Sequence, residues 1–296
     1  MSKSDFHSIV RIGVSVNGQT VFEFLCSSFP KISRSVWQNR IESGNVSYEN
    51  SKPVEMPDTA AAGMKIYYYR EVENETVIPY KEKILFADEH ILVADKPHFL
   101  PVAPAGKYVN ETLLNRLKKN TGIDNMVPVN RLDRETAGIV LFSINSRSRD
   151  AYYNLFRKRL VHKTYKAVSP ENPAVKGNKW RIENRLVQGD PWFRMKCYNG
   201  NVNKGNEVNA ISNIILEKCD NGFCYFTIHP ETGQKHQLRV HLALLGYPIL
   251  NDRFYPVLFP EEADDFSKPL KLLAEKICFK SPLTGHLQEF ETEQHL

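Results

Sequence analysis

Two apolar-rich runs, VNAISNIILEKC and FCYFTIHP, stand on either side of Asp220-Asn221-Gly222. An Asn-Gly pair tolerates the positive φ angles of a tight hairpin turn, so the two runs are expected to pair antiparallel. ILFADEHILVADKP reads the same way around Asp88-Glu89-His90. IVLFSIN (139–145) is a continuous apolar run of strand length, and TYKAVSP is another strand. Helical spacing occurs in ETLLNRLKK and in SRDAYYNLFRKRL (148–160). In the latter, Ser148 is placed to cap, and Ala151, Tyr152, Leu155, Phe156 and Leu160 form one face. QKHQLRVHLALLG is a further helix, ending near Gly246. Strands dominate and helices interrupt them irregularly. This predicts an α+β fold with a central mixed, mainly antiparallel sheet rather than a regular βαβ repeat.

Residues 1–75 read as a smaller α+β module. Val21, Phe22, Phe24, Leu25 and Phe29 recur as on one face of a short helix. Ser33 or Ser35 can cap a second, in which Val36, Trp37, Arg40 and Ile41 share a side and Gly44 supplies a stop. NVSYENSKPVEM alternates like a strand, a turn and another strand, and KIYYYREVE closes the module. The polar stretch 72–83 serves as a linker, so the larger domain is taken as 76–296. PHFLPVAPAG (97–106), with three prolines, must be a loop or extended segment.

No run approaches the roughly 20 apolar residues of a membrane span, and the N-terminus lacks an apolar signal core. Cys26, Cys197, Cys219, Cys224 and Cys278 are scattered and form no C-x-x-C pair. A disulfide framework and a zinc site are both disfavoured, and a reducing cytoplasm fits. A monomer is the default expectation.

Charge is more telling. The whole chain carries only +5, which permits nucleic acid as a partner without requiring it. Between Arg131 and Lys166, however, nine basic residues meet three acidic ones, with Tyr152, Tyr153, Phe156 and Tyr165 interleaved. Such a stretch either follows a phosphate backbone and stacks on unpaired bases, or is a solvated helix face above core aromatics. Asp133 sits inside it, between Arg131 and Arg134. Fixed guanidinium groups keep a carboxylate ionised, and an ionised carboxylate can act as a nucleophile. A surface Asp–Arg pair satisfies the same local pattern. Metal chemistry has little support: His236 and His241 are five apart and no H-E-x-x-H occurs. Phosphate-binding glycine loops and a G-x-S-x-G elbow are also missing, so no metal and no cofactor are expected.

VNRLDRETAGIVLF closely resembles the H-R-L-D-x-x-T-S-G signature of RluA-type pseudouridine synthases. Further blocks resemble the same family in the same order. These are ILFADEHILVADKPHFLPVAPAG with its Lys-Pro loop, RLVHKTYKAV, HPETGQKHQLRVHLALLGYPILNDRFY and SPLTGHLQEFE, which together span about residues 83–291. SRSVWQNRIESGNVSYEN is similar, more loosely, to the RNA-binding domain named after ribosomal protein S-four.

The resemblance implies a cytoplasmic enzyme that isomerises uridine to pseudouridine in rRNA or tRNA, large-subunit rRNA first, without a cofactor. It aligns Asp133 with the catalytic aspartate, Tyr165 with the tyrosine that contacts the target base, and Arg239 with the basic partner of the aspartate. Arg131 aligns with an arginine that occupies the space of the flipped base. Arg134, Arg157, Lys158, Lys163 and Lys235 complete the expected RNA contacts. Three positions depart from the family pattern: Asn130 for His, Ala137 for Ser and Gln234 for Arg. The competing expectations are a catalytically silent RNA-binding or ribosome-assembly protein on the same fold, and an aspartate-nucleophile hydrolase of small glycosides or phosphoesters.

Overall fold

The computed structural model describes residues 2–14, 18–198, 200 and 207–296. The chain divides into two compact units, Met1–Thr76 with Pro104–Glu111, and Val77–Ala103 with Thr112–Leu296.

In the first unit, Thr20 opens helix Val21–Ser28 with a capping box: its hydroxyl accepts from the Glu23 N–H, and the Glu23 carboxylate accepts from its own. Ser33, not Ser35, caps helix Arg34–Glu42. Ser8–Arg11, Lys65–Tyr68 and Val46–Tyr48 form a three-stranded sheet with Lys65–Tyr68 in the middle. Leu25, Trp37, Ile41 and Ile66 fill the core. Arg40 is buried as the spacing predicts, whereas Val36 is exposed. NVSYENSKPVEM yields one strand; its return makes only a bridge, Ser47 to Pro53, as expected of a proline that cannot donate to a ladder. The excursion 104–111 is held by the Glu75 carboxylate, which accepts from the N–H groups of Val109, Asn110 and Glu111 at 2.6, 2.7 and 2.8 Å.

The second unit is α+β, built on a ten-stranded sheet. Its main path runs Lys179–Asn184, Ala210–Asp220, Phe223–Pro230, His162–Pro170, Leu272–Lys280, Ala137–Ser143, Ile91–Lys96 and Lys83–Ala87. All pairings along it are antiparallel except that of Leu272–Lys280 with Ala137–Ser143. Helices Leu113–Thr121, Arg149–Arg157 and Gln237–Leu244 accompany the sheet. The turn at Asn221 (φ 52°) and Gly222 (φ 79°) is left-handed at both positions, as the Asn-Gly pair requires. It sets Cys219 directly opposite Cys224, and these two are disulfide-bonded. Where no disulfide framework was expected, the structure has this one short-range pair, with Cys26, Cys197 and Cys278 free. Among the described residues, no helix is long and apolar enough to cross a membrane.

The basic–aromatic stretch resolves mostly into core. Tyr152 and Leu155 are buried beneath helix Arg149–Arg157, with Tyr153 and Phe156 packed on the same cluster. These aromatics pack on protein. Leu160, expected on the apolar face, is exposed because the helix has ended. Ser148 makes no capping bond; its hydroxyl pairs with His90 Nδ1 at 3.1 Å.

One glycine aligns the site. Gly138 pairs in parallel with Ala274, and Tyr165 pairs with the same Ala274 from the other side. At φ 111°, a Cβ on Gly138 would lie 2.2 Å from the Ala274 carbonyl oxygen. Only glycine lets these backbones close, so the loop that precedes Gly138 is delivered beside the strand that carries Tyr165.

Candidate active site

Residues 129–136 form that loop. Asn130 anchors it: its amide oxygen accepts the Leu141 N–H at 2.7 Å and its nitrogen donates to the Ile139 carbonyl at 3.4 Å. This departure from the family's His thus makes a structural tie. Ala137 is fully buried in the strand. Beneath the loop, the buried Lys96 ammonium donates to the carbonyls of Pro97, Leu100 and Arg134 at 3.0, 2.7 and 3.0 Å. Burial pushes this lysine down to about 7, against the pull of Glu135 and Asp133. Lys96 therefore binds the Lys-Pro loop to the Asp133 loop.

Asp133, Tyr165, Arg239, Arg131 and Lys163 line one cleft, with Thr232, Gly233, Gln234, His236 and Leu272 among its other walls. Its empty space, solvent mouth included, is about 500 Å³. Asp133 and Arg239 are 106 residues apart in sequence, yet Arg239 Nη1 lies 3.4 Å from Asp133 Oδ2. The Tyr165 phenol is pushed up by burial and then by the Asp133 charge, so it stays protonated.

Arg239 is held mainly by a residue the sequence reading missed. Its Nε and Nη2 donate to the two oxygens of Asp252 at 2.8 and 2.7 Å. The arginine is 1% exposed and the Asp252 side chain 0%. Burial works against the Arg239 charge, but the Asp252 carboxylate, with Asp133 and Glu135 behind it, more than offsets this and raises the pKa. Only Nη1 then faces Asp133 and, at 3.7 Å, Glu135. This orientation is the fixed-fork geometry peculiar to arginine.

His236 was also missed. It occupies a left-handed conformation (φ 54°) at the start of helix Gln237–Leu244. Its Nε2 lies 3.9 Å from Asp133 Oδ1, and its Nδ1 pairs with the Tyr255 hydroxyl at 2.9 Å. Burial, then the charges of Arg239 and Lys235, push it down to about 3. A neutral imidazole therefore borders Asp133. Asp252 also accepts from the N–H groups of Phe254 and Tyr255 at 2.8 and 3.2 Å, closing the frame.

The remaining basic residues scatter. Arg131 is exposed at the cleft. Lys163 donates to the Thr232 carbonyl at 3.0 Å. Arg157 and Lys158 are exposed where their helix ends and do not line the cleft. Arg134 turns away: its Nη1 and Nη2 donate to Asp264 at 2.7 and 2.8 Å, and Glu135 takes its Nε. The Arg134 guanidinium is thus engaged in a bidentate ion pair within the protein.

The mixed sheet thus presents a carboxylate, a buried arginine fork and a tyrosine in one cleft. Residues 90–244 match the family described as RNA pseudouridylate synthase, and the chain belongs to that family. It is 29% identical over 241 residues to the mitochondrial tRNA pseudouridine(32) synthase of Saccharomyces cerevisiae, covering 77% of this chain and 48% of that one. It is 28% identical over 261 residues to ribosomal large subunit pseudouridine synthase C of Rickettsia conorii, covering 86% and 80% respectively. The solved structure of human RNA pseudouridylate synthase domain containing 1 superposes with a TM-score of 0.58 at 19% identity, covering 72% of this chain and 84% of that one. This last likeness shows the shared fold.

Proposed function

We propose that this pseudouridine synthase isomerises uridines in structured RNA, with large-subunit rRNA rather than tRNA as substrate and Asp133 as the nucleophile. The observation that carries the reading is Arg239 Nη1 at 3.4 Å from Asp133 in a cleft shared with Tyr165. That a ribosomal large subunit synthase is matched over 80% of its length supports the choice of RNA.

In this reading the target uridine leaves its stack, which costs a few kcal/mol, and Arg131 fills the vacated space. The C1′–N1 bond breaks, the base turns, and a C1′–C5 bond forms. The C5 hydrogen leaves as a proton and N1 gains one, so no oxidant or co-reactant is consumed. Asp133 assists at ribose or base, Arg239 orients it, and Tyr165 packs on the uracil. Residues 1–75 act as an S-four-like RNA-binding module. Arg131, Lys163 and Lys235 hold phosphates near the cleft, with Arg157 and Lys158 farther along the strand.

Wild-type protein is expected to release tritium from [5-³H]uridine-labelled large-subunit rRNA in excess over tRNA. Release from tRNA alone overturns the choice of RNA, and release from neither overturns the activity.

Lys163 gives this reading a pH signature. Burial, then the Arg159 charge, push its ammonium down to about 8. As pH rises through that value, a lowered lysine loses its proton and its hold on phosphate. RNA affinity is expected to fall between about pH 7 and 9, with the log–log salt slope shrinking by about 0.7 for one single-strand contact. Lys163→Met is expected to weaken binding at pH 7 and to abolish the pH dependence. A wild-type affinity flat over that interval refutes the assignment.

A further inference from the structure

The turn between strands Leu186–Gln188 and Met195–Cys197 displays a large aromatic side chain. Trp192 is 62% exposed. Its neighbours are pinned to the frame of the active site. Phe193 packs on Phe254, with ring centres 5.3 Å apart. Phe254 in turn lies 5.6 Å from the His236 ring, and the Arg239 guanidinium sits 4.8 Å over its face. The next residue, Arg194, donates to the Pro256 carbonyl at 3.0 Å and lies 5.0 Å from the Tyr255 ring. The backbone that follows Trp192 is therefore tied to residues that frame Asp133, while the indole is largely exposed.

A cation lies over one face of that indole, leaving the other for a ligand. Lys235 Nζ is 5.6 Å from the Trp192 ring centre. Lys235 stands between Gln234 and His236, both of which line the cleft, so the pair belongs to the cleft's border. An indole face bordered by an ammonium suits a flat, electron-rich ring attached to a phosphate.

We propose that Trp192 and Lys235 form a stacking platform for an unpaired base of the substrate RNA, adjacent to the uridine that enters the cleft. The inference rests on RNA being the substrate. Indole stacks on one face of the flanking base, and Lys235 meets the phosphate that links it to the target. Because the turn is fixed by Phe193 and Arg194, little freedom is lost when the base arrives. Stacking tolerates any base, so the platform selects for a single-stranded flank rather than for a sequence.

The test is steady-state tritium release from an RNA that the wild type modifies, compared across Trp192→Ala, Trp192→Tyr and Lys235→Met. Trp192→Ala is expected to raise KM by about 5- to 150-fold, the usual worth of one stacked base, and to leave kcat within about twofold. Trp192→Tyr is expected to restore most of the loss, because a ring suffices. Lys235→Met is expected to raise KM less and to flatten its salt dependence. RNA should also quench tryptophan emission of the Asp133→Asn protein, and that quench should vanish in Asp133→Asn/Trp192→Phe. Wild-type KM in Trp192→Ala, or a loss confined to kcat, overturns the platform while leaving the activity standing. No release by the wild type from any RNA overturns the reading on which the platform rests.

Discussion

Asp133→Asn is expected to abolish tritium release from labelled RNA, by a factor on the order of 10⁴ or more, while RNA binding and folding persist. Loss of a nucleophile costs at least that much where nothing replaces it, and each tenfold is about 1.4 kcal/mol of barrier. The replacement keeps the shape of the side chain and an oxygen for Arg239 Nη1. Arg239 keeps its charge and its two strong bonds to Asp252, so the frame does not lose its anchor. Glu135 is the other carboxylate near Nη1, at 3.7 Å. It does not line the cleft, and its other oxygen is engaged by Arg134, so it is badly placed to rescue the reaction. Thermal unfolding checks that the fold survives, and an unchanged RNA dissociation constant checks that the substrate still docks. Wild-type release by Asp133→Asn sinks the assignment.

Asp133 also shows how far the sequence could be read. Its immediate neighbours, Arg131 and Arg134, suggested a local ion pair. In the fold Arg134 points to Asp264 and the partner of Asp133 is Arg239, far along the chain. Adjacent residues of a loop diverge in direction, so sequence proximity carried the wrong partner; the ordered family blocks carried the right one. Strands and helices were legible because periodicity and turn residues are local properties. The aromatics of helix Arg149–Arg157 were legible only as two alternatives, and burial decided for the core. The Cys219–Cys224 pair left a readable signal: a two-residue Asn221-Gly222 turn sets Asp220 opposite Phe223 and hence Cys219 opposite Cys224. Scattered spacing along the chain hid it. Asp252 and His236 lay inside a quoted block, yet nothing local marks them. Their roles arise from a left-handed residue at 236 and from a return of the chain after Gly246, both tertiary events.

Asp252→Ala is expected to be the most damaging substitution outside the cleft itself. It strands a guanidinium that is 1% exposed, with Nε and Nη2 deprived of acceptors. Removing one partner of a buried pair costs about 3–5 kcal/mol, or roughly 10 °C in Tm for a unit of this size. It also frees Phe254 and Tyr255 from their bonds to Oδ1, and Tyr255 carries His236. Arg239 then has Asp133 as its nearest strong acceptor and is expected to swing onto it, occupying the carboxylate that must act. Measured well below the new Tm, kcat is therefore expected to fall by about 100-fold, the scale of an ångström of misplacement, with KM little changed. Asp252→Asn, which keeps one acceptor and the shape, is expected to recover part of both losses. Pairing Asp252→Ala with Arg239→Met separates the two effects. The double variant no longer buries an unpaired charge, so its stability is expected to exceed that of Asp252→Ala, while its activity stays lost. A Tm and kcat equal to wild type in Asp252→Ala, or no stability coupling in the double variant, contradicts the view that Asp252 aims Arg239 at Asp133.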